Sequence, residues 1–247
     1  MLWVFDSWFG GFQTLKYLQN KFPDFDFLFY ADNANVPYGN KRPKEIEELT
    51  FKWLNYLFDN GVKLVILACN TASAYSIKKW QKLYPEKKVL SVTIPAVEKI
   101  IEKWYKKVWV FATYATVYSD IYSRKYFEIT WDFIDFYQIP TPKLVDLIEN
   151  QVEDEEIINN VISLYIEQLP NDVEALVLGC THYPIYLKNF KKYFKKDIID
   201  PSQESVEKLV EYFRKHNDIY ESIWKNWKTK IVETGERKIE SSEYNVK

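Results

Sequence analysis

Short apolar runs rich in β-branched and aromatic residues alternate with longer amphipathic segments along most of this chain. This alternation predicts an α/β protein with parallel sheets, because helices must cover the faces of a parallel sheet. The predicted strands are LWVFDS, DFLFYAD, KLVILACN, KVLSVT, KVWVFAT, FIDFYQI, ALVLGCT and DIIDP. The predicted helices cover residues 43–59, 73–83, 95–104, 153–168 and 203–214.

Two pairs of segments within this pattern resemble one another. LVILACNTA (64–72) is echoed by LVLGCTHYP (176–184), and LWVFDS (2–7) is echoed by VWVFAT (108–113). The echoes predict two similar parallel-sheet α/β domains related by pseudo-twofold symmetry. Because open α/β sheets bind ligands at the carboxyl ends of their strands, we expect the strand ends of both domains to line one cleft.

The same echoes suggest where the chain divides. A length of 247 residues is sufficient for two domains that share a large core. We expect residues 1–94 together with 205–247 to form the first domain, and residues 95–204 to form the second. The crossover is expected near Pro95, where a strand gives way to a helix.

Composition argues against several kinds of partner. The chain has 33 Lys and Arg against 35 Asp and Glu, and it has no dense basic block, so no nucleic-acid partner is expected. No apolar run reaches the roughly 18–20 residues that a membrane span needs. The N-terminal MLWVFDS also lacks the basic region and cleavage site of a signal peptide. We therefore expect a cytoplasmic protein with no membrane partner.

The two cysteines, Cys69 and Cys180, each follow a predicted buried strand. Hydrogen-bonding side chains come directly after them: Asn70, Thr71, Thr181 and His182. A pair of cysteines in a reducing compartment is more often catalytic or simply buried than disulfide-bonded. A single buried cysteine would most simply be a small core residue. Their equivalent positions in the two half-repeats instead favour a shared functional role.

Two thiols that face each other across a cleft can invert a stereocentre. A thiolate on one face of a carbon removes its proton while a thiol on the other face delivers one, and the reverse reaction exchanges the roles. Hydroxyl, amide and backbone donors near the thiols could bind an α-carboxylate, whose charge grows in the transition state. The candidate donors are Ser7, Asn70, Thr71 and Thr181.

Five motifs carry a resemblance to a known family. FDSxxGG (5–11), VPYGNK (36–41), ACNTAS (68–73), LVDLIE (144–149) and LGCTHYP (178–184), in this order and spacing, resemble the glutamate racemases of the cofactor-independent Asp/Glu racemase superfamily. The resemblance implies a cytoplasmic homodimer that interconverts L- and D-glutamate by two-base proton transfer. It also implies that the D-glutamate is used for peptidoglycan.

The resemblance assigns roles to individual residues. It implies that Cys69 and Cys180 are the acid/base thiols, that Asp6 assists Cys69, and that Glu149 and His182 assist Cys180. It also implies a set of residues that hold the amino acid substrate: Ser7, Tyr38, Gly39, Asn70, Thr71, Thr116 and Thr181.

Ordinary structural roles are also open for five of these residues. Asp6 could cap a helix, and Tyr38 with Gly39 would fit a turn. Glu149 lies in LIENQVEDEE, a run of carboxylates that is typical of a solvated helix face. A lone histidine such as His182 is commonly a structural group.

No cofactor or metal is expected. Two cysteines and one nearby histidine fall short of a closed zinc site. No lysine is marked as a pyridoxal Schiff base, and the GxGxxG and P-loop motifs are absent. The alternatives to glutamate racemisation are an aspartate or other amino-acid racemase, or a catalytically silent amino-acid-binding protein whose cleft is filled by Trp8.

Tryptophan occurs where glycine is expected. The chain has 6 Gly and 9 Trp, whereas glycine usually makes up about 7% of residues. Trp8 interrupts FDSxxGG, and Trp3 and Trp109 lie in the echoing strands where the racemase pattern has glycine. Trp104 falls at a helix end, where a left-handed glycine is the usual cap. Trp227 follows an asparagine, where Asn-Gly would form a turn.

We hypothesise that some or all of these tryptophans are glycines in the organism. UGA is read as tryptophan in some genetic codes and as glycine in others, so the wrong code would write Trp for Gly. Trp53 and Trp80 lie on predicted amphipathic helices and fit as genuine tryptophans. The chain with an indole at Trp8 is expected to be impaired or inactive, because glycine there would let backbone N–H groups approach the substrate.

Overall fold

The computed structural model describes residues 1–235, and its strands form two parallel sheets. The first sheet contains β1 (Leu2–Asp6), β2 (Phe27–Ala31), β3 (Leu64–Leu67), β4 (Lys88–Ser91) and β9 (Thr229–Glu233). The second contains β5 (Lys107–Ala112), β6 (Asp135–Pro140), β7 (Ala175–Gly179) and β8 (Asp197–Ile199). The predicted α/β class with two parallel-sheet domains is therefore confirmed.

Helices connect the strands and cover both sheets. They are α1 (Gly11–Lys21), α2 (Pro43–Asp59), α3 (Asn70–Leu83), α4 (Thr93–Glu102), α5 (Tyr114–Ser119), α6 (Ile121–Thr130), α7 (Pro142–Glu149), α8 (Glu155–Ile166), α9 (Leu187–Tyr193), α10 (Pro201–Lys215) and α11 (Asn217–Ser222). Helix α10 packs against α1 and α4, so it lies between elements that flank the two sheets. No helix within residues 1–235 is both long and apolar enough to cross a membrane.

The two sheets share one strand order. The first runs β4-β3-β1-β2-β9 and the second, read from its other edge, runs β8-β7-β5-β6. Strands β3 and β7 therefore occupy equivalent places, as do β1 and β5. These are the strands whose sequences echo one another, and the shared order accounts for the internal repeat as two copies of one supersecondary pattern.

The inner strands are buried because both faces of each sheet are covered. All four residues of β3 are buried, as are all five of β7, and both strands are continuous apolar runs. That pattern is typical of the centre of a parallel sheet. The two strands therefore give rigid support to whatever follows their carboxyl ends.

The C-terminal part of the described chain returns to the first sheet. Strand β9 pairs in parallel with β2, with Phe27 opposite Thr229 and Ala31 opposite Glu233. Its residues are partly buried or exposed, as suits an edge strand. Residues 236–247, which the sequence assigns to the first domain, lie outside the described part of the chain.

Candidate active site

Each cysteine lies just beyond the carboxyl end of one of the equivalent strands. Cys69 follows β3 and is the N-cap of α3, where its Sγ accepts a hydrogen bond of 3.4 Å from the Ala72 N–H. Cys180 follows β7 and precedes a 3-10 turn over Tyr183–Tyr186. Both thiols are free and buried. They line the same cavity, so the two domains each bring one thiol to a shared cleft.

The Cys69 thiol is linked to a carboxyl group through a serine hydroxyl. Ser7 Oγ lies 3.3 Å from Cys69 Sγ, and the same hydroxyl donates to Asp6 Oδ1 over 3.3 Å. Since the single hydroxyl proton of Ser7 is directed to Asp6, the thiol is the donor in the first contact. The resulting chain of donors runs from Cys69 through Ser7 to Asp6.

Burial raises the pKa values of both Asp6 and Cys69. Asp6 is fully buried, and loss of solvation raises the pKa of its carboxyl group from 3.8 to about 7, although hydrogen bonds from Trp8, Thr181 and Ser7 oppose the rise. Burial, followed by the negative charge of Asp6, raises the pKa of the Cys69 thiol to about 12. The free site therefore holds a neutral thiol beside a carboxyl group that is poised to exchange a proton near neutral pH.

The Cys180 thiol has a direct imidazole partner. Its Sγ lies 3.3 Å from His182 Nδ1. Burial raises the pKa of Cys180 well above its ordinary value, a hydrogen bond from the His182 backbone N–H opposes the rise, and the negative charges of Asp6 and Glu149 add to it. Burial also lowers the pKa of His182 to about 4. The imidazole is consequently neutral at neutral pH and can accept the thiol proton at Nδ1.

Glu149 reaches the same cavity from the second domain. It is the last residue of α7 and is half-buried, and the preceding residues Leu144 and Ile148 anchor the helix in the core. Its carboxylate is one of the charges that raise the pKa of Cys180. Glu149 therefore lies at the wall of the cleft, as the family resemblance implies and as a solvated helix face would not require.

Three threonine hydroxyls join the two domains beside the cavity. Thr71 Oγ1 lies 2.9 Å from Thr113 Oγ1 and 3.1 Å from Thr116 Oγ1. The latter two hydroxyls are 3.0 Å apart. Thr71 is on α3 of the first domain, whereas Thr113 caps α5 of the second and lines the cavity. Thr113 is a lining residue that the sequence pattern does not predict, and Thr116 lies behind the wall instead of in it.

A tyrosine of the second domain orients the amide of Asn70. The Tyr122 hydroxyl donates to Asn70 Oδ1 over 2.6 Å, and both residues are buried. Asn70 Nδ2 has no hydrogen-bond partner within residues 1–235, and Asn70 lines the cavity. An unpaired buried amide donor is costly unless a ligand accepts from it. The amide is therefore arranged to donate into the cleft.

Two glycines let the walls of the cleft approach closely. A Cβ atom on Gly10 would lie 2.5 Å from Thr181 Oγ1 and 2.8 Å from His182 Nδ1, and one on Gly39 would lie 2.7 Å from Thr113 Cβ. Neither position accepts a side chain without displacement. Gly10 is also the N-cap of α1, so Asp6 does not cap that helix.

All of the residues predicted for the site come together. The cavity is lined by ten of them: Ser7, Tyr38, Gly39, Cys69, Asn70, Thr71, Glu149, Cys180, Thr181 and His182. The other two do not line the cavity, but each is hydrogen-bonded to a residue that does: Asp6 to Ser7, and Thr116 to Thr71. The Tyr38 hydroxyl is held by Asp32 over 2.7 Å. Within residues 1–235, no group of three or more His, Cys, Asp or Glu is placed to hold a metal ion.

Trp8 lines the cavity that contains the two thiols. Its side chain is 3% exposed, and its ring packs against Phe9 and His182 with centroids 4.7 and 5.9 Å away. The remaining cavity has a volume of about 40 Å³. One water needs roughly 10–15 Å³, so the space that remains beside the indole is small.

Residues 13–209 match the family model described as Asp/Glu/Hydantoin racemase. A glutamate racemase of Ruegeria sp. (strain TM1040) is 36% identical over 212 residues, which cover 79% of this chain and 77% of the relative. The chain belongs to the Asp/Glu/Hydantoin racemase family.

Solved structures of this racemase family share the fold. The crystal structure of glutamate racemase from Francisella tularensis in complex with D-glutamate has a TM-score of 0.87 at 29% identity, covering 96% of this chain and 88% of that one. Picrophilus torridus aspartate racemase has a TM-score of 0.61 at 20% identity, covering 89% and 98%. The two-domain arrangement is thus common to glutamate and aspartate racemases.

Proposed function

We propose that this protein is a glutamate racemase that inverts Cα by proton transfer between two cysteines, without a cofactor. One observation carries the proposal. Two buried thiols extend from equivalent strands of two domains into a single cavity, and each has its own proton acceptor. An aspartate or other amino-acid racemase is the alternative within the family. A glutamate racemase that is 36% identical to this chain over 212 residues favours glutamate.

In the direction that uses Cys69 as the base, the thiol must first lose its proton. Its hydrogen bond to Ser7, and that of Ser7 to Asp6, provide a path to a carboxylate. Since the pKa of Asp6 is about 7, the carboxylate is partly ionised at neutral pH. The thiolate then takes the Cα proton, and the Cys180 thiol delivers its own proton to the opposite face.

In the reverse direction Cys180 is the base. His182 accepts the thiol proton at Nδ1, and the Cys180 thiolate removes the Cα proton while Cys69 protonates the other face. Each turnover leaves one cysteine as a thiol and the other as a thiolate. The site is reset when the proton held by Asp6 or His182 is exchanged after product release.

The substrate carboxylate is assigned to the donors around Asn70. Asn70 Nδ2 is buried and unpaired within the described chain, and the Thr71 hydroxyl lies in the same wall. The backbone N–H groups at the start of α3 add to this donor set. Charge that develops at Cα in the transition state is delocalised onto that carboxylate, so these donors stabilise it at the moment of proton transfer.

The proposed cellular role is supported by the family resemblance alone. We place the enzyme in the cytoplasm as a homodimer that supplies D-glutamate for peptidoglycan. Light scattering of the purified chain tests the dimer, and a monomer at all concentrations would contradict it. Rescue of a bacterial strain that needs external D-glutamate tests the cellular role.

The reaction is tested by Cα deuterium exchange in D₂O, with L- and D-glutamate as substrates and both enantiomers of aspartate as comparison. Exchange with glutamate alone is expected. The assay uses the unaltered chain and the Trp8→Gly variant, and Cys69→Ala and Cys180→Ala in the Trp8→Gly background are the controls. Faster exchange with aspartate would favour the alternative racemase.

A catalytically silent amino-acid-binding protein is the second candidate, because Trp8 stands in the cavity wall where the racemase pattern has glycine. This candidate predicts that glutamate binds without isotope exchange, both in the unaltered chain and after Trp8→Gly. Calorimetric titration with glutamate, run beside the exchange assay, separates the two functions.

A further inference from the structure

Three tryptophans have a backbone conformation that L-residues rarely adopt. The φ angles are 58° at Trp104, 56° at Trp131 and 62° at Trp227. Within residues 1–235, the only other residues with positive φ are Gly61, Gly235, Asp120 and Gln151. Glycine and short polar residues are the usual occupants of this region, whereas a bulky residue there is an outlier.

Trp104 occupies the glycine position of a helix-ending motif. Helix α4 ends at Glu102, and the Trp104 N–H donates to the Ile101 carbonyl over 3.0 Å. The Tyr105 N–H reaches back to the Ile100 carbonyl over 3.3 Å. These two bonds define a Schellman motif, whose left-handed residue is most often glycine.

Trp131 ends helix α6 in the same left-handed conformation. Its N–H donates to the Phe127 carbonyl over 2.8 Å, and φ and ψ are 56° and 25°. The indole is 81% exposed, as is that of Trp104. Little apolar surface is therefore buried in return for the strained backbone at either position.

Trp227 lies at the tip of a turn whose two sides are fixed by Asp26. The Asn226 and Lys228 N–H groups donate to Asp26 Oδ1 over 2.9 and 3.0 Å. The turn is therefore held in place, and residue 227 must take the positive φ that connects its sides. An Asn-Gly pair supplies that angle without strain.

Trp8 adds an independent observation from the cleft. It follows the Ser7 that links Cys69 to Asp6, and it lines the cavity of about 40 Å³ that contains both thiols. With hydrogen in place of the indole, the space beside His182 is opened to the thiols. The same substitution that relaxes the three caps and turns would therefore make room for a substrate here.

Trp53 and Trp80 provide the contrast. Trp80 is fully buried in the last turn of α3, and its Nε1 donates to the Lys87 carbonyl over 3.1 Å. Trp53 lies within α2, where its ring packs on Tyr30 with centroids 5.0 Å apart. Both residues have helical backbones and packed rings, so both positions suit tryptophan.

We propose that the natural protein has glycine at positions 8, 104, 131 and 227, where UGA codons are read as glycine, and tryptophan at positions 53 and 80. The backbone angles extend this set to Trp131, which no sequence motif marks. Trp3, Trp8 and Trp109 have no positive φ, so the backbone does not assign them, and position 8 is assigned by its place in the cleft alone.

The codons and the protein itself give the direct test. UGA is expected in the gene at positions 8, 104, 131 and 227, and UGG at 53 and 80. Peptide mass spectrometry of protein from the source organism is expected to show glycine at the four positions. A UGG codon at any of the four, or a tryptophan-containing peptide there, overturns the proposal for that position.

Thermal unfolding gives a physical test in recombinant protein. The combined variant Trp104→Gly, Trp131→Gly and Trp227→Gly is expected to raise the Tm by roughly 2–4 °C for each strained position that it relieves. The matched control Trp53→Gly, in a helix interior, is expected to lower the Tm. A fall in Tm for the combined variant as large as that of the control would contradict the assignment.

These two tests do not depend on the proposed racemase activity. The step that does rest on it is the gain of Cα exchange after Trp8→Gly. If the codons and Tm values agree with the proposal while Trp8→Gly gives no exchange, the glycine assignment stands and the racemase proposal fails. If the unaltered chain racemises glutamate at the full rate and its codons are UGG, the glycine assignment fails while the racemase proposal stands.

Discussion

The Cys69 and Cys180 sides of the cleft are built on equivalent strands but hold their thiols differently. Cys69 reaches an acid of pKa about 7 through the Ser7 hydroxyl. Cys180 instead contacts an imidazole of pKa about 4 directly. The shared strand order explains why two thiols meet, whereas the residues around each strand end decide how its proton is handled. The topological repeat therefore does not make the two bases chemically equal.

This difference gives the two reaction directions different pH dependences. Asp6 changes charge near neutral pH, while His182 in the free site is neutral there and takes up a proton only in the step in which Cys180 becomes the base. The direction that uses Cys69 as the base should therefore follow an ionisation that the other direction does not need.

Removal of either thiol is expected to have the largest effect. In the Trp8→Gly background, Cys69→Ala and Cys180→Ala should each lower racemisation by roughly 10³–10⁴-fold, because each thiol is the base in one direction and the acid in the other. Circular dichroism of glutamate measures the loss in both directions. Racemisation that survives either substitution would show that one thiol is sufficient and would remove the basis of the comparison.

Asp6→Asn is expected to slow one direction more than the other. The amide cannot accept the proton from Ser7, so the direction with Cys69 as the base should fall about 10²-fold, with a smaller loss in the reverse direction. The ratio is taken between the two kcat values, measured at saturating L- and D-glutamate, because kcat/KM must stay equal in the two directions of a racemisation. Equal losses in both directions would indicate that Asp6 only supports the local structure.

The pH profile gives the sign of the Asp6 contribution. Burial raises the pKa of this carboxyl group to about 7, so it is protonated below that pH and cannot accept another proton. In the Cys69-base direction, kcat should fall about tenfold for each pH unit below the pKa. This fall of kcat at low pH should be absent from the Asp6→Asn variant. If kcat of the variant still falls in the same way at low pH, the ionisation belongs to another group.

His182→Asn is expected to have a smaller effect, confined to the opposite direction. Asparagine retains a hydrogen-bonding group near Cys180 but cannot take up the thiol proton as readily, and a loss of roughly 10–10²-fold is expected where Cys180 is the base. Because the pKa of His182 is about 4, its loss should leave the profile near neutral pH unchanged. If the substitution changes how the rate depends on pH in the neutral range, the imidazole is charged in the working enzyme.

The sequence predicts regular elements well where local signals agree. Helix α2 begins at Pro43 and ends at Asp59, with Gly61 just beyond, as predicted. Helix α3 begins at Asn70, earlier than predicted, because Cys69 itself caps it. Strand β9 carries only a weak signal because an edge strand with half-buried side chains lacks a continuous apolar run.

The sequence does not predict which residues of the two domains contact each other. Thr113 reaches Thr71 from a different sheet, and nothing in its neighbourhood distinguishes it from any threonine that follows a strand. The left-handed backbone at Trp131 is equally hidden, since no asparagine precedes it to mark a turn. Motifs therefore locate the thiols and their neighbours along the chain, while cross-domain hydrogen bonds determine how those residues are oriented.

Tyr122→Phe tests that orienting role with the smallest expected effect. Without the hydroxyl, Asn70 Oδ1 loses its 2.6 Å partner and the amide can rotate away from the cleft. A single hydrogen bond contributes about 0.5–1.5 kcal/mol, so KM should rise roughly 2–12-fold while kcat changes little. Tyr126→Phe, at another buried tyrosine of the same helix, is the matched control. Equal effects on kcat and KM, or equal effects in the control, would show that Tyr122 supports packing and does not orient the amide.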